Sequence, residues 1–517
     1  MKTARTIALS LALVAFVAAA AAEDAAIRAG RVWTGKGPAL ENALIVIRDG
    51  KVVSVAAGAN APDGVKTLKY EEMVVTPGLV DAACVIDPEI PQVASLRDFG
   101  MCLRCAAAHR LHLTADPALG ASVDGCPRCA AAHAGHAARK SMQPTSAQFW
   151  AKLAAASEAT EHDHAAGDAC GPGCSGPRTL EDFAELVSSG PSANLTWAEQ
   201  SSEVTPHCSV LDAVNFSSRD FRVLLSSGVT TIYVSPDTAA VIGARGAVVK
   251  TGGPLAGRVV RKQDSVLAAM GADPVRRGRF NNLPPGRGGD VSFMTRRPTT
   301  RMGVDFVFRK AFYDAMRVAE GMELHGADAP PAPAVPVLQE ILAGKTPLRV
   351  QARLQHDILN ALRLAREFKL SMTLQEAVEA YKCLDQIKAA GFPLIYGPIF
   401  DRPSGWRAFT GEATEPRLTT PAALRDAGIR FCLTASEGRD ESGLVRQAMV
   451  AARYGLSEDD ALAAVTRVPA ELMGLAERVG TLAAGADADL VVWTGDPLDA
   501  TSRVKMVMIE GKVVYEE

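Results

Sequence analysis

Apolar and polar positions alternate with a period of two in short runs from Ile27 to about Val75: "AIRAGRVWTG", "ALIVIRDGKVVSVAAG" and "KTLKYEEMVVTPG". That period places successive side chains on opposite faces of a strand. Asp49-Gly50, between two such runs, is a hairpin signal. The C-terminal end repeats the style in "GADADLVVWTGDPL" and "VKMVMIEGKVVYEE", with Glu510-Gly511 as a second hairpin-like turn. Two short β segments at opposite ends, each too small to bury both faces of a sheet, predict one small sheet built from both. Between them apolar strands alternate with amphipathic helices, as in "GVTTIYVSPD", "DILNALRLAREFKLSMTLQ" and "EAYKCLDQIKAAGFPLIYGPI". The alternation predicts βα units around a parallel sheet, with the working face at the C-terminal ends of the strands.

The first residues read differently. "MKTARTIALSLALVAFVAAAAAEDA" has Lys2 and Arg5, an apolar run from Ile7 to about Val17, and Ala20-Ala21-Ala22 before Glu23. This is the layout of a signal peptide over residues 1–22, and its apolar part is short for a membrane span. The expected location is periplasmic or secreted, with no membrane span after cleavage. At 517 residues the chain is long enough for a large barrel with a companion domain. A formal net charge of -3, with 48% hydrophobic and 22% charged residues, is that of an ordinary globular protein and gives no sign of a nucleic-acid partner.

Residues 97–204 interrupt the strand and helix pattern and are rich in Ala, Cys and His. "CLRCAAAHRLH" (102–112) and "CPRCAAAHAGH" (126–136) share the pattern C-x-R-C-A-A-A-H-x-x-H. Alanine runs favour helix, and on a helix Cys102, Cys105, His109 and His112 lie within roughly 80° of one another. Cys126, Cys129, His133 and His136 do the same. The linker "LTADPALGASVDG" carries Asp-Pro and Asp-Gly turn signals, so the segment reads as an αα-hairpin. Packed antiparallel, each Cys pair would face the other helix's His pair, giving two Cys2His2 sites suited to zinc, with copper the rival. His162, His164, Cys170 and Cys174 are further candidate ligands at less regular spacing. A disulfide framework or a redox role remains the alternative in an exported chain.

Several words resemble the amidohydrolase superfamily, closest to its imidazolonepropionase-like members: "VVTPGLVDA", "GVTTIYVSPDTAAVIGARGAVVKTGG", "TTRMGVDFVFRKAFYDAM", "DILNALRLAREF", "ALAAVTRVPAELMGLAERVGTLAAGADADLVVW" and "MIEGKVVY". They cover residues 27–96 and roughly 205–517. The resemblance implies an α/β fold: a (β/α)8 TIM-type barrel over 77–96 and 205–479, and a composite β-sandwich over 23–76 and 480–517. The Cys/His-rich insertion at 97–204 would stand apart from both. It also implies descent from enzymes that hydrolyse C–N bonds other than peptide bonds with a bound metal, which acidifies a water and polarises the carbonyl.

By the same resemblance, the family's metal ligands fall on residues unable to serve as such a set. The paired histidines after the first barrel strand fall on Ala83 and Val85. "QARLQHDI" puts Gln351 and Arg353 where imidazoles would sit, and "LQEAVEAYK" puts Glu376 at another histidine position. "RFCLTASEG" puts Ser436, or Ala435, at the aspartate. Only His207, His325 and His356 lie downstream of residue 179. Asp81 and Lys250 are weak catalytic candidates. No cofactor is expected in the barrel; zinc or copper is expected in the insertion.

The leading expectation is an exported, catalytically inactive relative of these hydrolases with a metal-binding insertion, which works by binding a small molecule, a protein or a metal rather than by hydrolysis. One competitor is an active C–N hydrolase with a rearranged or metal-free site using Asp81, Lys250, Glu376 or Asp401. Another is a periplasmic metal-buffer or redox module. An oligomer is possible.

Overall fold

The computed structural model describes residues 24–86, 199, 202–275, 298–324, 329–401, 415–437 and 443–517. The expected signal peptide, the paired Cys/His words, His162, His164, Cys170, Cys174 and His325 lie outside the described residues.

One seven-stranded sheet contains both ends of the described chain. In chain order its strands are β1 (Ala25–Val32), β2 (Leu40–Arg48), β3 (Lys51–Ala57), β4 (Lys66–Pro77), β16 (Leu490–Trp493), β17 (Val504–Ile509) and β18 (Lys512–Glu516). They are arranged β18-β17-β16-β4-β1-β2-β3, so the antiparallel pair β4/β16 joins the N-terminal strands to the C-terminal ones. Both sequence-predicted hairpins form. Asp49 and Gly50 have φ of 50° and 73°, and Glu510 and Gly511 of 48° and 74°, the left-handed pair that a two-residue hairpin turn needs. The inner face of the sheet buries Ile27, Ile45, Ile47, Leu490, Val492, Met506 and Met508.

The remaining strands form two sheets. One holds β7 (Ile242–Arg245), β10 (Val266–Ala269), β11 (Leu348–Ala352), β12 (Met372–Glu376), β13 (Leu394–Tyr396) and β14 (Phe431–Leu433), in the order β14-β13-β12-β11-β10-β7. The other holds β5 (Leu79–Val85), β6 (Val229–Val234), β8 (Ala247–Lys250), β9 (Val259–Arg261) and β15 (Ser436–Glu437), in the order β15-β5-β6-β8-β9. Two short segments serve both sheets. Residues 431–437 pair with β13 and then with β5, and residues 242–250 pair with β10 and then with β6.

The segment 242–250 departs from the expected all-parallel order, since β7 and β8 run antiparallel to their neighbours. Residues 235–246, which include β7 itself, separate β6 from its partner β8 and hold no helix; a parallel partner would need a crossover, normally with a helix. Gly246 sits at the joint, where a Cβ would meet the Tyr233 hydroxyl at 2.2 Å, so any larger residue there collides with that ring.

Elsewhere βα order holds. The helix Gln355–Phe368 buries Ile358, Ala361, Leu362, Ala365 and Phe368, a helical stripe that lies between β11 and β12 in the chain. Its neighbour Arg301–Ala319 begins with Thr300, whose hydroxyl accepts from the Gly303 amide at 3.1 Å. Phe308, Phe312 and Phe368 pack the two helices together, with ring centroids 4.9 to 6.4 Å apart.

Candidate functional site at the strand ends

The side chains of β11 alternate, so Arg349, Gln351 and then Arg353 point to one face. Arg349 reaches across to β5, donating to the Ala82 carbonyl. Its guanidinium lies 3.4 Å from the centroid of the Tyr233 ring on β6 and 3.5 Å from Asp264. A parallel strand with charge on this face is unexpected from an apolar pattern, and the charge is tolerated because a ring, a carbonyl and a carboxylate receive it.

Two positions further on, Arg353 fills the place between two acids. Its Nη1 and Nη2 donate to Asp273 Oδ1 and Oδ2 at 2.8 and 2.9 Å, and its Nε donates to Glu376 Oε2. Gln351 Nε2 donates to Glu376 Oε1 at 2.9 Å and to Asp273 Oδ2 at 3.2 Å. The Thr238 hydroxyl donates to Asp273 Oδ2 at 2.6 Å. All of these side chains are buried, Asp273 and Gln351 fully. Burial opposes the charge on Arg353, but Asp273 and Glu376 outweigh it and hold the guanidinium well above its usual pKa. Glu376 and Ala377 both adopt left-handed φ, 69° and 43°, which is strained for residues with a Cβ. One polar atom is left over: Gln351 Oε1 is buried without a hydrogen-bond partner.

A second group forms around β5. Asp81 accepts from the Ala83 amide at 2.9 Å, the Thr434 hydroxyl at 2.6 Å and the Ala435 amide at 3.1 Å. Burial raises its pKa to about 6 in spite of those bonds and of the Arg349 charge. Ser436 pairs with Cys84, between Ala83 and Val85, and takes a φ of 66°. The structure therefore brings Ala83, Val85, Asp81 and Ser436 together on β5 and β15. It separately joins Gln351 to Glu376 on β11 and β12.

Lys250 is elsewhere. Its amine is buried against Asp487, at 3.1 Å, and Asp489. The Asp489 carbonyl accepts from Gly78, just before β5, so this amine sits at the opposite end of the strands from the Arg353 group. Burial opposes its charge, yet Asp489 and Asp487 keep its pKa above the usual lysine value. It ties β8 to the seven-stranded sheet. His356 is exposed beside Asp357, and His207 and Asp401 are exposed as well. Among the described residues, no group of three or more His, Cys, Asp and Glu is arranged to hold a metal ion.

Sequence reasoning missed Asp273, Thr238 and Thr434. Asp273 lies just past β10 in "MGADP", where it reads as a turn residue; its position at the end of a strand was the available signal.

Residues 415–514 match the model of the amidohydrolase family. An amidohydrolase, tasK, of Hapsidospora irregularis is 27% identical over 336 residues, covering 62% of this chain and 34% of that protein. An imidazolonepropionase of Stenotrophomonas maltophilia is 33% identical over 111 residues, covering 20% of this chain and 26% of that protein. The chain thus spans about a third or less of the length of these relatives. The structure of an amidohydrolase from Thermotoga maritima superposes with a TM-score of 0.64 at 22% identity, covering 95% of this chain and all of that one, and gives the fold as TIM-barrel-type α/β. These matches support a protein similar to the imidazolonepropionase-like members of the amidohydrolase superfamily.

Proposed function

We propose that this chain is an exported amidohydrolase-fold protein that has given up metal-assisted C–N hydrolysis. In this reading it retains a metal-binding function in its Cys/His insertion. The observation that carries the first half is the Arg353 guanidinium between Asp273 and Glu376. A catalytic metal needs imidazole and carboxylate ligands converging on one point with a position left open. Here the matching positions hold Ala83, Val85, Gln351 and Ser436, and the carboxylate at 376 is already committed to a fixed organic cation. The donor set does not fit the metal, so no step of the family's reaction is derived through it.

Support for the second half is the repeated C-x-R-C-A-A-A-H-x-x-H word, eight soft ligands in two identical spacings. Elemental analysis of the purified reduced protein tests both halves. About two zinc- or copper-sized ions per chain are expected, by four-ligand arithmetic. They should be lost when Cys102, Cys105, Cys126 and Cys129 are changed to serine, and released at low pH as the ligands protonate. Metal that survives those substitutions would place it in the barrel and end this reading. Stable disulfides with no metal under reducing or oxidising conditions would favour the framework alternative.

One observation favours a metal-free hydrolase as the second reading. Asp81, with its pKa raised to about 6, is near the range useful to a general base. Its two oxygens, however, are occupied by two amides and a hydroxyl.

A further inference from the structure

The helix Arg301–Ala319 turns Val304, Phe308, Ala311, Phe312 and Ala315 into the core, yet its opposite face is not polar. Met302, Phe306, Tyr313 and Met316 lie there with 79, 52, 44 and 42% of their surface exposed, too much for residues that serve the core. Together with Arg309 and the C-cap residue Glu320 they occupy positions 302, 306, 309, 313, 316 and 320. At about 100° per residue all six fall within roughly 80° of one another, in a row about 27 Å long. Alternating steps of four and three residues are the seam by which one helix packs along another. Single exposed apolar residues are ordinary, but a contiguous row marks a contact surface. The centre of the row is held in place from within the chain. Arg309 Nε donates to both oxygens of Glu367 at 2.9 Å, and the Tyr313 hydroxyl donates to the same carboxylate at 3.1 Å. The Tyr313 ring also meets Phe368 edge-on, with 4.9 Å between centroids.

We propose that this row docks against the same row of a second copy of the chain, the two helices running antiparallel about a two-fold axis level with Ala311. In a two-fold contact residue i meets residue j while j meets i. Phe306 then faces Met316 of the second copy, a sulfur–aromatic contact. Arg309 faces Tyr313 of the second copy, a cation over a ring. Each Glu320 comes beside Met302, at the opposite end of the row from its counterpart. A parallel alignment would instead set Arg309 against Arg309 and Glu320 against Glu320, like charges that repel. Antiparallel helices also bring opposite ends of their macrodipoles together. The charges therefore select one direction, and in that direction the row is complementary to itself, which makes a second copy the occupant. The surface is separate from the Arg353 group and does not depend on the function proposed above.

A contact confined to one helix is smaller than a standard interface of about 1,600 Å², so the dimer should be reversible, dissociating in roughly the micromolar range. Sedimentation velocity of the full chain at rising concentration tests this. Met302→Lys combined with Met316→Lys should weaken the dimer at least about tenfold, the scale of losing central anchors. The thermal melt of that variant should match the unaltered protein's, because both side chains face outward. Cross-linking reads the direction. In a chain carrying Phe306→Cys and Met316→Cys the two thiols sit about 15 Å apart on one helix, too far to bridge within a chain. Mild oxidation should therefore join 306 of one chain to 316 of another, identified by peptide mass spectrometry. Should the lysine variant fail to fold, the cross-link pattern decides. A chain that stays monomeric at every concentration would overturn the proposal. So would a dimer untouched by the lysines, or 306–306 and 316–316 links without the mixed one.

Discussion

Arg353 grips Asp273 through two parallel hydrogen bonds, at 2.8 and 2.9 Å, in a place where both side chains are almost fully removed from water. The pair is held from the other side by Glu376 and Gln351. A fixed cation between two acids is a stable arrangement only while all its members are present. The consequences can be measured.

Arg353→Met should destabilise the protein by about 3–5 kcal/mol at neutral pH, the usual cost of stranding a buried charge. Asp273 and Glu376 would then face each other without the guanidinium between them, which raises the proton affinity of both carboxylates. Urea unfolding at pH 5 and at pH 7 checks this. The variant's deficit should be smaller at the lower pH, and a pH-independent deficit would count against the account.

Restoring histidine at 83 and 85 should not rebuild a metal site. In a chain whose four insertion cysteines are serine, Ala83→His with Val85→His should carry no stoichiometric metal by mass spectrometry. Arg353 still occupies the acids, and Gln351 and Ser436 still stand at ligand positions. Tight zinc binding by this variant would show that the Arg353 group yields easily.

Asp81 gives a pH dependence whose sign is fixed. Its folded pKa, about 6, lies above its ordinary value of 3.8, so the folded state holds the proton more tightly than the unfolded chain. The stabilisation is present below the ordinary pKa and is lost as pH rises to about 6, a loss of roughly 3 kcal/mol in total at 1.36 kcal/mol per unit. Comparison of unfolding free energies of the native protein and Asp81→Asn from pH 4 to pH 7 isolates this component. The difference between the two should drift across that window and be flat above it.

Lys250→Met should cost about 3–5 kcal/mol by leaving Asp489 buried without its amine. Hydrogen exchange should speed up first in β16 and β17, the strands flanking the carboxylates, while the Arg353 group stays protected. Equal loosening at both ends of the strands would contradict the placement of Lys250 as a tie to the seven-stranded sheet.

Much of this architecture was legible in the chain. Asp49-Gly50 and Glu510-Gly511 announced the hairpins because few other residues accept two successive left-handed conformations. The runs that became β6, β12 and β13 were visible as short apolar stretches followed or preceded by helical stripes. The direction of 242–250 was hidden, because "VIGARGAVVK" has a strand's pattern whichever way it runs and only its partners decide. At the candidate site, the words around Gln351 and Glu376 placed them together, and they do hydrogen-bond. Arg349 and Asp273 were not found. A charge facing inward from a strand violates the pattern that identifies strands, and its compensation by Tyr233, Asp264 and Ala82 comes from remote positions.

The contact between the two hairpin turns has a kinetic consequence. A Cβ on Gly50 would lie 2.7 Å from the Glu510 carbonyl oxygen, and one on Gly511 would lie 2.9 Å from the Gly50 Cα. The turns therefore touch backbone to backbone across nearly the whole length of the chain, and β4 meets β16 over a similar separation. Contacts between such distant positions form late, after the loop-closure entropy has been met by other structure. During synthesis, strands β1 to β4 emerge long before the partner that completes their sheet, and one edge of β4 stays open until β16 arrives. That interval is when this chain most needs a chaperone, and a truncation that removes residues 490–516 should turn a slow folding step into aggregation through that edge.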